Sequence, residues 1–168
     1  MAGFLEQPGK RKPLILSLCL FAFLGKIYFD TNTLQICTHE IQKDGKQCVL
    51  SGIKIAHLSD LHLRKIGKKE TAILSVLQKE KPDLIFLTGD MIAYGGSYEE
   101  VEKYLDKLEA PYGVFGVLGN TEYSNENGSC VLCHVKGVKG RIKNPRVIFL
   151  RNSSVVLNIK GKPLQIIG

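Results

Sequence analysis

The middle of the sequence alternates between two hydrophobic patterns, and this alternation restricts the fold more than any other feature. Residues 52–60, 82–90 and 112–120 are runs rich in β-branched and apolar residues that end in polar ones, as is typical of buried strands. Residues 68–80 and 97–110 lie between them and carry apolar residues at helical spacing. Strand, helix, strand, helix, strand predicts a parallel sheet with helices on its faces.

Three further apolar runs, at residues 146–152, 154–160 and 163–168, are also predicted to be strands, and a turn at Gly161 joins the last two. The predicted fold class is therefore α/β, with a mixed sheet that contains parallel strands and has flanking helices. At 168 residues and 44% hydrophobic residues, the chain is long enough for one domain with a core, so a disordered chain is not expected.

A short polar cluster follows each of the first three predicted strands. The clusters are SDLH (residues 59–62), TGD (88–90) and LGN (118–120). Each alone is explained by a helix cap or a turn, but loops at the carboxyl ends of parallel strands gather at one edge of the sheet. Asp60 and His62 can turn toward one ion, and Asp90 supplies a second carboxylate. Oxygen and nitrogen donors without sulfur suit Mn, Fe, Zn or Mg.

The segments IAHLSDLHL, LIFLTGDMI and VFGVLGNTEY resemble the DxH, GD and GN(H/E) motifs of the calcineurin-like metallophosphoesterases, over residues 53–168. With the apolar N-terminal segment, the chain looks most like the membrane-associated bacterial branch. The resemblance implies half of a four-layer αββα sandwich and a site for two divalent ions. Asp60 and His62 would bind the first ion, Asp90 would bridge the two, and Asn120 would bind the second. Two such ions can polarise a phosphoryl oxygen for hydrolysis.

Two features depart from the family pattern. Where the family usually has a histidine that protonates the leaving group, this chain has Thr121, whose hydroxyl is not a useful acid near neutral pH. Such protonation is worth roughly 10²- to 10⁴-fold, so weakened or redirected catalysis is expected unless Glu122 or His134 takes the part. The family's later metal-binding histidines, including a GHxH, have no counterpart, and the sequence stops at PLQIIG. A fragment or truncated product covering about the first half of the catalytic domain is therefore expected.

The segment CVLCH contains Cys130, Cys133 and His134 in the CxxCH pattern to which a c-type haem is attached. Two thiols would form thioethers and the histidine would be an axial iron ligand. A zinc half-site, a redox pair and a disulfide beside an unrelated histidine remain alternatives. The motif lies in a predicted inserted loop, residues 121–145, which is long enough to have its own purpose.

The N-terminus predicts export. A basic segment, residues 1–12 with KRK at its end, precedes a helix predicted over residues 13–29. The apolar run from Leu14 to Phe29 reaches about 24 Å as a helix, short of a hydrocarbon core of roughly 30 Å, so it fits a signal-peptide core or a short anchor. Because the basic residues stay cytoplasmic, the catalytic domain is predicted on the exported side of the inner membrane.

Residues 30–51 are predicted to be a connecting hairpin, with strands at 34–37 and 47–50 that a disulfide between Cys37 and Cys48 could bridge. The phosphoesterase domain would then occupy residues 52–168. The formal charge of +7 comes from scattered Lys and Arg residues without interleaved aromatic residues, so nucleic acid is not an expected partner.

Three hypotheses follow from the sequence. The first is a membrane-anchored, metal-dependent phosphoesterase, bearing a haem, that hydrolyses small phosphoesters or lipid-linked diphosphates such as UDP-diacylglucosamine. The second is a haem or redox sensor on a phosphoesterase scaffold that has lost hydrolysis. The third is a gene fragment without function.

Overall fold

The computed structural model describes residues 11–41, 50–123 and 146–168, which fall into two compact units, Met1–Cys37 and Thr38–Gly168. The first unit contains helix α1, Arg11–Asn32, which includes the predicted helix at residues 13–29. Apolar side chains along this helix, from Leu14 to Phe29, are exposed. Within the three described ranges, no helix is long and apolar enough to cross a membrane.

The predicted strand at residues 34–37 is not observed: these residues have no regular secondary structure. A strand needs a neighbour to pair with its backbone N–H and carbonyl groups, and no described residue pairs with this segment. Most of its predicted partner strand, including Cys48, lies outside the described residues. The proposed disulfide between Cys37 and Cys48 therefore stays a prediction.

The second unit is built on a four-stranded sheet in which every pair of neighbours is parallel, in the order β1-β2-β3-β4. Its strands are β1 (Ile55–Leu58), β2 (Leu84–Thr88), β3 (Val114–Val117) and β4 (Val147–Phe149). Helix α2, Lys68–Glu80, connects β1 to β2, and helix α3, Tyr98–Leu105, connects β2 to β3. The predicted alternation of strands and helices is confirmed, and it brings the three polar clusters to one edge of the sheet.

The strands β5 (Ser154–Ile159) and β6 (Lys162–Ile167) form a separate antiparallel hairpin. Its two-residue turn has positive φ at Lys160 (51°) and Gly161 (79°), the combination that matches the twist of a tight hairpin. Ile159 packs in a buried cluster with Leu84 and Phe115 of the parallel sheet. The predicted parallel strands with flanking helices are confirmed, but the hairpin does not join their sheet as a mixed sheet would require: it forms a second sheet that packs against the parallel one.

Helix α3 and the turn after it bury one stripe of side chains: Val101, Tyr104 and Leu105 lie on the helix and Leu108 lies just beyond it. Within this stripe the Tyr104 hydroxyl is buried and has no hydrogen-bond partner among the described residues. Burial, with a smaller contribution from the carboxylate of Glu70, raises the pKa of this phenol above its ordinary value. The neutral phenol is thus favoured in the folded state.

We expect Tyr104→Phe to raise the free energy of unfolding by about 1 kcal/mol, because it removes a buried polar group without a partner and keeps the ring. Since the folded-state pKa is raised, the wild-type protein should be fully stable, with respect to this group, below about pH 10 and lose stability above it. Urea unfolding at pH 7 and pH 10.5 measures both effects, with the half-buried Tyr112→Phe as control. A loss of stability at pH 7 would contradict the prediction.

Candidate metal centre

The chain beyond β1 and the chain beyond β2 stay side by side after the strands end. Four backbone hydrogen bonds join them. Three run from the first segment to the second: Asp60 N–H to the Gly89 carbonyl (3.2 Å), His62 N–H to the Asp90 carbonyl (2.9 Å), and Leu63 N–H to the Met91 carbonyl (2.8 Å). The fourth runs from Ala93 N–H to the Leu63 carbonyl (3.0 Å). A parallel bridge between Leu63 and Ile92 continues the pairing. The two loops therefore act as a short extension of the sheet, and their polar side chains are carried on paired backbone.

Asp60, His62 and Asp90 bring their ligand atoms within 4.8 Å of one another. His62 Nε2 lies 4.0 Å from Asp60 Oδ1 and 4.0 Å from Asp90 Oδ2. Two donors that each stand about 2.1 Å from one ion can be no more than about 4.2 Å apart, so both of these separations suit a shared cation. The carboxylate, carboxylate and imidazole set matches the donors of Mn, Fe or Zn, and the structure brings these three predicted residues together as a candidate metal site.

All three of these residues have backbone angles in the left-handed region: φ is 53° at Asp60, 44° at His62 and 54° at Asp90. This region is uncommon for residues other than glycine, although Asp and His tolerate it better than most, and it costs of order 1 kcal/mol or more per residue. Such residues persist where the surrounding structure holds them, and they concentrate at functional sites. The backbone pairing described above supplies that support.

Gly89 and Gly119 allow the loop after β2 and the loop after β3 to touch. A Cβ added at Gly119 would collide with the carboxylate and the backbone nitrogen of Asp90, and one added at Gly89 would lie 2.7 Å from the Gly119 nitrogen. Gly89 also has φ +88°. The glycines of the GD and GN motifs are therefore required by close backbone approach, which brings Asp90 beside the loop that carries Asn120.

Thr121 occupies the position of the family's histidine, but its side chain turns into the protein. It is 8% exposed, and its Oγ1 lies 3.2 Å from Asp90 Oδ1 and 3.3 Å from Glu122 Oε1. Its backbone N–H also donates to Asp90 Oδ1, at 3.1 Å. Thr121 thus contacts a candidate metal ligand, and its hydroxyl is directed at that carboxylate.

Glu122 is fully buried and accepts four backbone hydrogen bonds, a role that the sequence alone did not reveal. The donors are the N–H groups of Asp90 (2.9 Å), Met91 (2.6 Å), Ile92 (3.2 Å) and Gly119 (2.6 Å). Both carboxylate oxygens are occupied, so Glu122 is not placed to protonate a leaving group. The available sequence signal was an acidic residue two positions after the strand-end cluster.

Asn120 is exposed at the same edge of the sheet. Its Nδ2 donates a hydrogen bond to the hydroxyl of Tyr94, at 3.4 Å. Because the amide nitrogen bonds Tyr94, the amide oxygen of Asn120 points away from that hydroxyl. An amide oxygen is the atom of this side chain that binds hard cations. The predicted role of Asn120 as a ligand to a second ion stays a prediction, and Tyr94 is a neighbour that the sequence did not indicate.

The predicted haem site lies outside the described residues. Cys130, Cys133 and His134 all fall in the range 124–145. The haem, and the part of His134 as a proton donor, therefore stay predictions from the CVLCH motif.

Comparison with known proteins agrees with the geometry. The family model described as calcineurin-like phosphoesterase matches residues 53–161. A metallophosphoesterase of Bacillus subtilis, YkoQ, is 28% identical over 162 residues, which is 92% of this chain and 58% of that protein. The UDP-2,3-diacylglucosamine pyrophosphatase LpxG of Chlamydia muridarum is 30% identical over 108 residues, 58% of this chain and 31% of that protein. The match therefore covers little more than half the length of YkoQ and about a third of the length of LpxG.

Proposed function

The chain belongs to the calcineurin-like phosphoesterase family, and on that premise we propose that it is a metal-dependent hydrolase of phosphoester bonds. The observation that carries the proposal is the convergence of Asp60, His62 and Asp90, whose ligand atoms lie within 4.8 Å of one another at the carboxyl edge of the sheet. We include in the proposal a second ion, with Asp90 as the shared ligand and Asn120 as a ligand of that ion.

The residues at this site would have different roles in such a reaction. Asp60, His62 and Asp90 would hold the metal, which when bound supplies positive charge to a phosphoryl oxygen. The Asp60 and His62 side chains are 67% and 47% exposed, so the site is open to a substrate. The Asp90 side chain is 18% exposed and lies deeper in the site. Thr121 contributes no proton to the leaving group, because its hydroxyl faces Asp90.

This arrangement favours substrates whose leaving group departs without being protonated. A diphosphate meets that condition, because its leaving group is a phosphate ester that is already stable as an anion. Relatives from Chlamydia are named for cleaving the diphosphate of UDP-2,3-diacylglucosamine. We therefore propose lipid-linked diphosphates or activated phosphodiesters as the substrate class, and the exported side of the inner membrane as the location, the latter from the basic residues and apolar run of the N-terminus.

The test is hydrolysis of bis-p-nitrophenyl phosphate by the protein expressed from its full reading frame, stripped with a chelator and then given Mn²⁺. We expect activity only after metal is restored, because the ion would supply the positive charge that polarises the phosphoryl oxygen. We also expect diphenyl phosphate, with its poorer leaving group, to be hydrolysed far more slowly. Hydrolysis that is indifferent to the chelator, or none with either diester or with a lipid-linked diphosphate, would refute the proposal.

A further inference from the structure

We propose that Thr121 and Glu122, called here the Asp90 clamp, position Asp90 for metal binding, and that Thr121 sets the affinity of the site without taking part in proton transfer. This inference rests on the proposed function, since it concerns the same metal centre. It gives a physical role to a residue that stands where the family has an acid.

Glu122 fixes the backbone on which Asp90 is carried. Its Oε1 accepts from the N–H groups of Met91 (2.6 Å) and Ile92 (3.2 Å), and its Oε2 accepts from those of Asp90 (2.9 Å) and Gly119 (2.6 Å). One buried carboxylate therefore ties the loop after β2 to the loop after β3. Charge-assisted bonds of this kind, away from water, are roughly twice as strong as neutral ones, so the separation of the two loops is rigidly set.

Thr121 holds one oxygen of the Asp90 carboxylate and leaves the other for the metal. Oδ1 is the atom that faces the Thr121 N–H (3.1 Å) and hydroxyl (3.2 Å). Oδ2 is the atom that stands 4.0 Å from His62 Nε2. The Asp90 carboxylate is thus oriented, so that the oxygen directed at the other ligands is already in place before an ion arrives.

The orientation matters because a carboxylate turns easily about its last bond. Broad two-fold torsions such as χ2 of Asp have no strong preferred well, so an unheld Asp90 would spend part of its time with neither oxygen directed at the ion. Residues that hydrogen-bond a metal ligand in this way commonly change metal affinity by 10- to 100-fold when they are replaced. The Thr121 backbone N–H survives substitution, so we expect the hydroxyl to account for about tenfold, the lower end of that range.

The test compares Thr121→Val with Thr121→Ser in the protein expressed from its full reading frame. Valine keeps the shape of threonine and removes the hydroxyl, whereas serine keeps the hydroxyl. The Kd for Mn²⁺ alone, measured by calorimetry on metal-free protein, should rise about tenfold in Thr121→Val and stay close to wild type in Thr121→Ser. Thr71→Val is the matched control, because it removes a hydroxyl bond to the Gly67 carbonyl (2.8 Å) in helix α2.

Two further readouts separate positioning from the other roles. The melting temperature of metal-free Thr121→Val should stay close to that of Thr71→Val, whereas a purely structural role would lower it without changing the Kd. Hydrolysis by Thr121→Val should need about tenfold more Mn²⁺ to reach half of its maximal rate, whereas loss of a proton donor would lower kcat at every Mn²⁺ concentration. An unchanged Kd in Thr121→Val overturns the clamp alone. Failure of the wild-type protein to bind Mn²⁺ overturns the metal site and with it the proposed function.

Discussion

Asp90→Asn is expected to lower metal-dependent hydrolysis by at least about 10³-fold, because the ion contributes several kcal/mol to the transition state and each 1.36 kcal/mol is tenfold in rate. The substitution is nearly isosteric, and its effect depends on which side-chain atom of residue 90 accepts the hydrogen bonds from Thr121. If the amide oxygen takes the place of Oδ1 against Thr121, at 3.1 Å from its N–H, the group directed at His62 becomes an NH₂, which cannot bind a cation.

The measurement is the initial rate with bis-p-nitrophenyl phosphate across a Mn²⁺ titration, with circular dichroism to verify folding. Asp106→Asn is the matched control, since Asp106 is an exposed residue at the end of helix α3. Near wild-type activity of Asp90→Asn at any Mn²⁺ concentration would mean that Asp90 is not a ligand, and the proposed metal centre would fail.

Glu122→Ala is expected to lower the free energy of unfolding by about 3–5 kcal/mol. It would leave four N–H groups without their acceptor, those of Met91 and Ile92, which are buried, and those of Asp90 and Gly119, which are half-buried. Each unpaired buried group costs about 1–3 kcal/mol unless water enters the space. Since whole domains have only about 5–15 kcal/mol of stability, the variant should unfold at a melting temperature lower by on the order of 10 °C. Glu122→Gln should be intermediate, because its NH₂ would face N–H donors on one side.

Urea unfolding at pH 7 measures the change, with Glu109→Ala as control because Glu109 is an exposed glutamate near the end of the α3 segment. A loss in the free energy of unfolding below about 1 kcal/mol for Glu122→Ala would contradict the stabilising role of the Glu122 hydrogen bonds. It would mean that water satisfies the same N–H donors at little cost.

The fold of the second unit could be predicted from local pattern because each element is built from a long periodic segment. The helix at residues 68–80 coincides with α2, and the glycine and aspartate after the second predicted strand follow β2 directly. The grouping of Asp60, His62 and Asp90 could be predicted for a similar reason: a parallel sheet places successive strand ends at one edge, so residues far apart in sequence meet there.

The expectations that failed depend on pairing that local pattern does not contain. Residues 34–37 have strand-like composition but pair with no described residue and form no strand. The hairpin of β5 and β6 was expected within one mixed sheet, but Ile159 needs burial against Leu84 and Phe115, so the hairpin forms a second layer. An apolar strand can pair with the edge of a sheet or pack on its face. Which of the two occurs depends on where the folded protein offers an apolar surface, and local sequence pattern does not contain that information.

Local sequence pattern was enough to predict parallel strands flanked by helices, the strand-end positions of Asp60, His62 and Asp90, and the oxygen and nitrogen donors of the candidate metal site. The role of the residues after β3 depends on contacts that exist only in the folded protein. From the sequence, Thr121 was a doubtful catalyst and Glu122 a candidate acid, whereas in the fold both face inward and hold Asp90 and its loop. The reason is that the direction of a side chain at a loop depends on contacts made by the neighbouring loop, here through the close approach of Gly89 and Gly119.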